Sequence, residues 1–161
     1  MGTPGVLVQS VRILIVDDHE VMRGGLRSLL ESVPEWEVCG EATDGEEAVE
    51  KTKQLKPDIV VLDINMPTLN GLEAIRLIKR DVPQTEVIIL SRYEAAEMRS
   101  KALEAGARDY VPKSQNLARE LLVAIDEIVR QRWMSNSQVQ PHASDPSPEG
   151  TPAADAESRS R

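Results

Sequence analysis

Cysteine, histidine and long apolar runs are all scarce in this sequence of 161 residues. A single cysteine, Cys39, excludes an internal disulfide framework, and with only His19 and His142 beside it a zinc site would need other ligands. No apolar run approaches the roughly 20 residues that cross a bilayer. Residues 1–10 lack the basic start and apolar core of a signal peptide. We therefore predict a cytoplasmic protein with no membrane segment.

Positive charge and aromatic side chains are also in short supply. The chain has 19 lysines and arginines against 27 acidic residues, a formal net charge of −8. Because an acidic chain does not attract a polyanion, we predict that this chain does not bind DNA. Aromatic residues make up 2% of the sequence and phenylalanine is absent. The core must therefore be packed from valine, isoleucine, leucine and alanine.

Composition divides the chain into three parts. Residues 1–10 are predicted to be a flexible N-terminus, and residues 11–133 hold most of the large apolar side chains. Residues 134–161 are rich in proline, serine and alanine and have few large apolar residues. Such a segment cannot bury enough surface to offset the entropy of ordering it. We predict one domain over 11–133 and a disordered tail over 134–161, whose regulatory or partner-binding role stays open.

Within residues 11–133, short apolar runs alternate with segments that have the 3.6-residue period of amphipathic helices. The runs are Val11–Val16, Trp36–Ala42, Ile59–Leu62, Val87–Leu90 and Ala107–Val111. A strand and helix repeated five times predicts a doubly wound α/β fold, with a central five-stranded parallel sheet covered by helices on both faces. In such a sheet the ligand site lies beyond the carboxyl ends of the strands.

Polar side chains follow the predicted strands at those ends: Asp17, Asp18, Asp63, Asn65, Ser91 and Lys113. Oxygen ligands of this kind suit Mg²⁺ with retained waters better than zinc. A carboxylate at the end of the third strand is a possible nucleophile that would form an acyl phosphate. Phosphoryl transfer needs positioning and charge neutralisation, which a metal ion, a lysine and a hydroxyl would supply.

Four segments, in this order, resemble the receiver domains of two-component response regulators: VRILIVDD from Val11, VVLDINMPTLNG from Val60, VIILS from Val87 and YVPK from Tyr110. The resemblance covers residues 11–133 and implies the flavodoxin-like, CheY-like three-layer sandwich. It also implies a phosphorelay switch that accepts a phosphoryl group from a sensor histidine kinase or a histidine phosphotransfer protein. Such a domain catalyses only its own phosphorylation and dephosphorylation, so the resemblance implies no other enzyme activity.

The resemblance assigns a role to each residue of the phosphoacceptor site. Asp63 would accept the phosphoryl group. Asp18, the Asp63 carboxylate and the backbone carbonyl of Asn65 would bind Mg²⁺, with Asp17 acting through water. Lys113 would pair with a phosphoryl oxygen.

Other residues would form the switch or modulate it. Ser91 would move inward to bond a second phosphoryl oxygen, and Tyr110 would then swing from solvent toward the fourth strand. Asn65 and Tyr93 would tune hydrolysis, or are simply surface neighbours. Arg92 departs from the family, which usually has a small residue after the hydroxyl. We predict that Arg92 slows phosphoryl exchange, by narrowing access or by contacting the phosphate.

Further motifs resemble receivers that precede a helix-turn-helix output domain of the LuxR or NarL type. They are Asp17-Asp18-His19, the EAGARDY segment at 104–110, and Lys113 followed by Ser114. No helix-turn-helix pattern follows residue 133, so we expect a stand-alone receiver that changes its affinity for proteins, including a phosphorylation-dependent homodimer. Two alternatives stay open: the receiver half of a LuxR/NarL-type regulator without its DNA-binding domain, and a degenerate receiver that serves as a dimerisation scaffold.

Overall fold

A computed structural model describes residues 10–66, 69–93 and 95–138, except for the side chains of residues 133 and 135–138. Strands and helices alternate strictly along the chain. The strands are β1 (Val11–Val16), β2 (Trp36–Ala42), β3 (Ile59–Asp63), β4 (Glu86–Ser91) and β5 (Asp109–Pro112). The helices are α1 (Glu20–Glu31), α2 (Gly45–Leu55), α3 (Gly71–Asp81), α4 (Ala96–Ala105) and α5 (Leu117–Gln138).

The five strands form one parallel sheet in the order β2-β1-β3-β4-β5. The chain moves from β1 to β2 on one side and then crosses to β3 on the other side of β1. The order of the strands therefore reverses between β1 and β3, and the carboxyl ends of these two strands border the crevice where doubly wound folds bind ligands. The predicted fold class is confirmed.

Aliphatic side chains fill both faces of the sheet. On one face, alternate strand residues such as Leu14, Leu62 and Ile89 belong to a core that includes buried residues of α2, α3 and α4. The intervening residues, such as Ile13 and Ile15, are equally buried. Successive strand residues point to opposite faces. Buried side chains of α1 and α5, such as Leu26 and Leu121, lie outside the first core, so these two helices cover the second face. This two-sided burial explains why the strands are continuous aliphatic runs.

Local signals in the sequence fix where two helices begin. Asp44 caps α2 by accepting a 2.8 Å hydrogen bond from the backbone N–H of Glu47, and Asn70 caps α3 in the same way. At Gly71, a Cβ atom would lie 2.8 Å from the Cα of Ile64. Only glycine therefore lets α3 start directly against the residue that follows Asp63, so the start of this helix is tied to the end of β3.

Helix α5 extends further than the sequence predicted. Composition places residues 134–138 in the tail, but in the structure they belong to the helix, which ends at Gln138. The first proline after the start of α5 is Pro141, so no proline interrupts this helix. Residues 1–9 and 139–161 lie outside the described residues, so the flexible N-terminus and the disordered tail stay predictions.

The contacts between residues divide the chain into two compact units, with the boundary after Ile128. The unit up to Ile128 holds the sheet and its core, and the described part of the second unit is the stretch of α5 from Val129 to Gln138. Among the described residues, no helix has both the length and the hydropathy that a bilayer span requires.

Candidate functional site

Three carboxylates meet at the carboxyl ends of β1 and β3. Asp17 is fully buried, Asp63 is 2% exposed, and Asp18 is partly exposed to solvent. One oxygen from each of these carboxylates and one ring nitrogen of His19 all lie within 4.8 Å of one another. The parallel topology therefore brings together the acids that the sequence singled out at separate strand ends.

Lys113 joins two of these carboxylates from the end of β5. Its Nζ donates a 2.9 Å hydrogen bond to Oδ2 of Asp17 and lies 3.4 Å from Oδ2 of Asp63. The lysine side chain is itself largely buried. With the three carboxylates ionised and one ammonium opposite them, the cluster keeps two negative charges. The peptide bonds of the described residues, including the bond after Lys113, are trans.

Burial raises the pKa of Asp63 above its ordinary value. The backbone N–H of Asn65, which donates to Asp63 Oδ1 at 3.0 Å, works in the opposite direction, as does Lys113. The charge of Asp17 adds to the increase. The ionised carboxylate is therefore held in an environment that favours its neutralisation.

The donor set at this cluster fits a magnesium ion. Carboxylate oxygens are the protein ligands that Mg²⁺ prefers, usually with several retained waters. The two uncompensated negative charges would be relieved by a divalent cation, and the partly exposed Asp18 gives it a route from solvent. Asn65 is exposed, and its backbone N–H already bonds the Asp63 carboxylate.

His19 is a member of this cluster that sequence reasoning missed. Its Nδ1 lies 3.0 Å from Oδ1 of Asp18 and 3.2 Å from Oδ1 of Asp17, and its backbone N–H donates to Asp17 at 2.8 Å. The signal in the sequence was its position directly after two acids. On the outer side of the ring, Nε2 lies 3.4 Å from Nη2 of Arg92. The contact with Arg92 links the loop after β4 to the start of α1 across the rim of the site.

The two predicted switch residues share one backbone partner. The hydroxyl of Ser91 donates to the carbonyl of Tyr93 and accepts from its N–H, both at 3.1 Å. The hydroxyl of Tyr110 donates to the same carbonyl at 2.8 Å. Tyr110 is 2% exposed, whereas the resemblance implied a ring that starts in solvent. The inward position is stable here because the carbonyl of Tyr93 satisfies the buried hydroxyl.

Arg99 of α4 holds Tyr110 from the other side, a contact that the sequence did not suggest. Its guanidinium carbon lies 5.9 Å from the centre of the Tyr110 ring, within the range of a cation–π interaction. Its Nη1 also donates to the carbonyl of Tyr110 at 3.2 Å. The position of the switch tyrosine is therefore coupled to α4.

Comparison with known families gives one match over most of the chain. The family described as the response regulator receiver domain matches residues 13–126. A protein-glutamate methylesterase/protein-glutamine glutaminase of Pyrococcus abyssi is 43% identical over 123 residues, which are 75% of this chain and 33% of that protein. The chemotaxis protein CheY of Thermotoga maritima is 46% identical over 102 residues, which are 63% of this chain and 84% of that protein. The chain thus spans about a third of the methylesterase's length.

Solved structures resemble the fold over a similar range. The response regulator domain of Thermotoga maritima CheB has a TM-score of 0.64 at 38% identity, covering 83% of this chain and 100% of that one. A LuxR-family two-component response regulator from Aurantimonas sp. SI85-9A1 has a TM-score of 0.72 at 33% identity, covering 82% of this chain and 100% of that one.

Proposed function

Because this chain belongs to the response regulator receiver domain family, we propose that Asp63 is its phosphoacceptor and that the acyl phosphate changes the chain's affinity for partner proteins. The family match confirms the resemblance that the sequence showed, and it supports the general role of a phosphoacceptor in two-component signalling. The observation that supports Asp63 is its place: a nearly buried carboxylate at the end of β3, 3.4 Å from a largely buried lysine.

The chemistry follows from this arrangement. One carboxylate oxygen of Asp63 forms a bond to the phosphorus of a phosphohistidine while the bond from phosphorus to the imidazole nitrogen breaks. The electron pair stays with the imidazole, which then takes up a proton. Lys113 stabilises a phosphoryl oxygen that gains charge, and Ser91 can exchange its bonds with Tyr93 for a bond to a second oxygen. We assign no other enzyme activity to the chain.

Magnesium is part of this proposal. Asp18, the Asp63 carboxylate and the backbone carbonyl of Asn65 would hold the ion, with Asp17 acting through water. When bound, the ion neutralises charge on the phosphoryl oxygens. The support from this chain is the three carboxylates that meet in one cluster, which keeps two uncompensated negative charges.

The direct test is phosphorylation by a small phosphodonor in the presence of Mg²⁺, repeated with Asp63→Asn. We expect an acid-labile adduct on the wild-type chain, or binding of beryllofluoride in its place, and neither on the variant. Asp81→Asn, which removes a carboxylate at the end of α3, is the matched control and should be phosphorylated normally. An adduct that persists in Asp63→Asn, or that never forms in the wild type, would contradict the assignment.

An apolar groove beside the site suggests how a protein donor docks. It has a volume of about 500 Å³ and lies between α1 and the start of α5, with His19 at one end. Val21 in this groove is 89% exposed. A Cβ at Gly24 or Gly25 would meet no atom within 4 Å. Each glycine costs an exposed helix roughly 1 kcal/mol relative to alanine, and packing within the domain does not require glycine at these two positions. The surface without side chains at Gly24 and Gly25 suits close approach by another helix.

We propose that a helix of the histidine-bearing donor docks in this groove, because His19 belongs both to the lining of the groove and to the carboxylate cluster. Val21→Glu should slow transfer from a phosphorylated histidine phosphotransfer protein at least tenfold. It should leave phosphorylation by a small phosphodonor unchanged, since the variant does not alter the cluster. Equal slowing with both donors would place the defect in the site, and no slowing with either would exclude docking at this groove.

Phosphorylation would act by changing the oligomeric state of the chain. We propose a phosphorylation-dependent homodimer formed by the face of α4, β5 and α5, where Leu103 and Val123 are exposed. Size measurements on the wild-type chain with and without beryllofluoride test this, and a single size in both states would contradict it. A cytoplasmic location also belongs to this proposal.

One alternative has specific support. The similarity to a LuxR-family regulator favours a chain that works as the receiver half of a transcriptional regulator, in which DNA binding belongs to another segment. The degenerate scaffold has weaker support, because the chain keeps Asp17, Asp18, Asp63 and Lys113 in one cluster. The phosphorylation test separates the scaffold from both of the other functions.

A further inference from the structure

The turn between β1 and α1, which carries Asp17 and Asp18, is held by an arginine of α1. Arg23 donates through Nη1 to the backbone carbonyl of Asp17 at 2.9 Å. Its Nε donates to Oε1 of Glu41, near the end of β2, also at 2.9 Å. The Arg23 side chain is 15% exposed. One guanidinium thus connects the end of β2 to the peptide that follows Asp17.

The bonded carbonyl belongs to the peptide that joins the two acids. The N–H of Asp17 donates a 3.1 Å bond to the carbonyl of Ala42, the last residue of β2, and the carbonyl of Asp17 then turns away toward α1. A hydrogen bond from a charged donor is about twice as strong as a neutral one. Fixing this carbonyl fixes the plane of the peptide between Asp17 and Asp18, and so the directions in which both carboxylates leave the backbone.

The position of Arg23 in the chain makes this contact possible. Its backbone N–H donates to the carbonyl of His19 at 3.0 Å, which is the bond that opens α1. The guanidinium folds back over the first turn of the helix to reach the carbonyl of Asp17, in the turn that precedes the helix. Glu41 holds the guanidinium in place. Hydrogen bonds from Arg27, also on α1, and from Arg23 keep the pKa of Glu41 below its ordinary value, so this anchor is charged at neutral pH.

We propose that Arg23 is a positioning residue for the divalent-cation site, acting through the carbonyl of Asp17 to orient Asp17 and Asp18. The inference rests on the magnesium site of the proposed function, but it concerns a residue outside the phosphoryl chemistry. The effect of removing Arg23 on Mg²⁺ binding has a diagnostic sign. Loss of a positive charge beside an acidic cluster should tighten cation binding by Coulomb's law, whereas loss of positioning should weaken it.

Arg27 is a matched control within the same network. Its Nε donates to the other oxygen of Glu41 at 2.8 Å, and its Nη1 pairs with Glu31 on its own helix. Arg27→Gln therefore removes the same charge and disturbs the same anchor as Arg23→Gln. Arg23→Gln also removes the bond to the carbonyl of Asp17, whereas Arg27→Gln removes a bond to Glu31, which lies on its own helix.

The test is calorimetric titration of the full chain with MgCl₂ at constant ionic strength. We expect Arg23→Gln to weaken Mg²⁺ binding about tenfold, in the range seen when groups that orient metal ligands are removed, and Arg27→Gln to stay within twofold of the wild type. Arg23→Lys keeps the charge without the forked donor, so we expect it to weaken binding as well. If Arg23→Gln binds Mg²⁺ as tightly as the wild type or more tightly, the proposal is overturned.

Thermal unfolding of each variant confirms that the titrated protein is folded. Should Arg23→Gln be too unstable to titrate, Arg23→Lys carries the test, and wild-type affinity in that variant overturns the proposal. The two proposals fail separately. If no adduct forms at Asp63, the phosphoacceptor function is contradicted, but the Mg²⁺ titration still tests the positioning role of Arg23. If the Arg23 variants bind Mg²⁺ with wild-type affinity, the positioning role is contradicted, but phosphorylation of Asp63 is not.

Discussion

Replacing Asp63 with asparagine should stabilise the folded protein when no divalent cation is present. At an effective dielectric constant near 20, attraction to Lys113 at 3.4 Å amounts to about 5 kcal/mol. Repulsion from Asp17, whose oxygen lies within 4.8 Å, amounts to at least about 3.5 kcal/mol. These two terms nearly cancel, and the remaining term is the dehydration of a buried carboxylate, which costs several kcal/mol. The bond from the Asn65 N–H returns about 1.5–3 kcal/mol of this.

The expected gain for Asp63→Asn is therefore about 1–3 kcal/mol in the free energy of unfolding at pH 7. Urea unfolding in EDTA measures it. Glu97→Gln, which removes a charge from a side chain that is 83% exposed on α4, is the control and should change stability by less than about 0.5 kcal/mol. Adding Mg²⁺ should shrink the difference, because the wild type gains the free energy of binding an ion for which the variant has lost a carboxylate.

The pH dependence gives the sign of the effect independently. The pKa of Asp63 is raised in the folded state, so the wild type is relatively stable while this group is protonated and loses that stability as the pH rises through the folded pKa. The gain of the variant should thus be small near the ordinary pKa of aspartate and grow to a plateau above the raised value, by about 1.4 kcal/mol per unit of elevation. A gain that is absent, negative or independent of pH would refute the reasoning.

Four further substitutions test other parts of the structure. Arg92→Ala should change the rate of phosphorylation or of hydrolysis at the phosphoacceptor by more than twofold in a radiolabel assay, and unchanged rates would show that this residue does not gate the site. Gly24→Ala should raise the free energy of unfolding by about 0.5–1 kcal/mol, because a methyl group there meets open space. Gly71→Ala should lower the free energy of unfolding by about 1–3 kcal/mol through overpacking. Changes of the same sign for both variants in urea unfolding would contradict this. Arg99→Ala should free the ring of Tyr110 from α4, at a cost near 0.5–1 kcal/mol, and ring resonances that match the wild type would show that the contact does not hold it.

The sequence was sufficient to predict the strands that surround the site. Runs such as Ile59–Leu62 are apolar throughout because both faces of the sheet are covered, so they stand out from their polar surroundings. Polar residues that directly follow such runs, as Asp63 does, must then lie at one edge of a parallel sheet. The convergence of the acids could be predicted for that reason, without any information on side-chain packing.

Side chains that act across elements could not be predicted in the same way. In the sequence, Arg23, Arg99 and His19 are ordinary polar residues of helices or helix starts. Arg23 bonds the turn after β1, Arg99 bonds β5, and His19 contacts Arg92 in the loop after β4. Which carbonyl a long flexible side chain reaches depends on the packing of the helix against the sheet. The inward position of Tyr110 likewise depends on the carbonyl of Tyr93, seventeen positions away in the chain.

By itself, the sequence determined the alternation of strand and helix, the family, and the set of acids, hydroxyl and lysine at the strand ends, because periodicity and position relative to a strand are local properties of the chain. The tertiary structure decided which of these groups are bonded to each other before any phosphoryl group arrives. It paired Lys113 with Asp17 and Asp63. It also bonded Ser91 and Tyr110 to the carbonyl of Tyr93, and Arg23 to the carbonyl of Asp17. These pairings depend on distances of a few ångströms between elements far apart in sequence, and only the packed sheet and helices fix such distances.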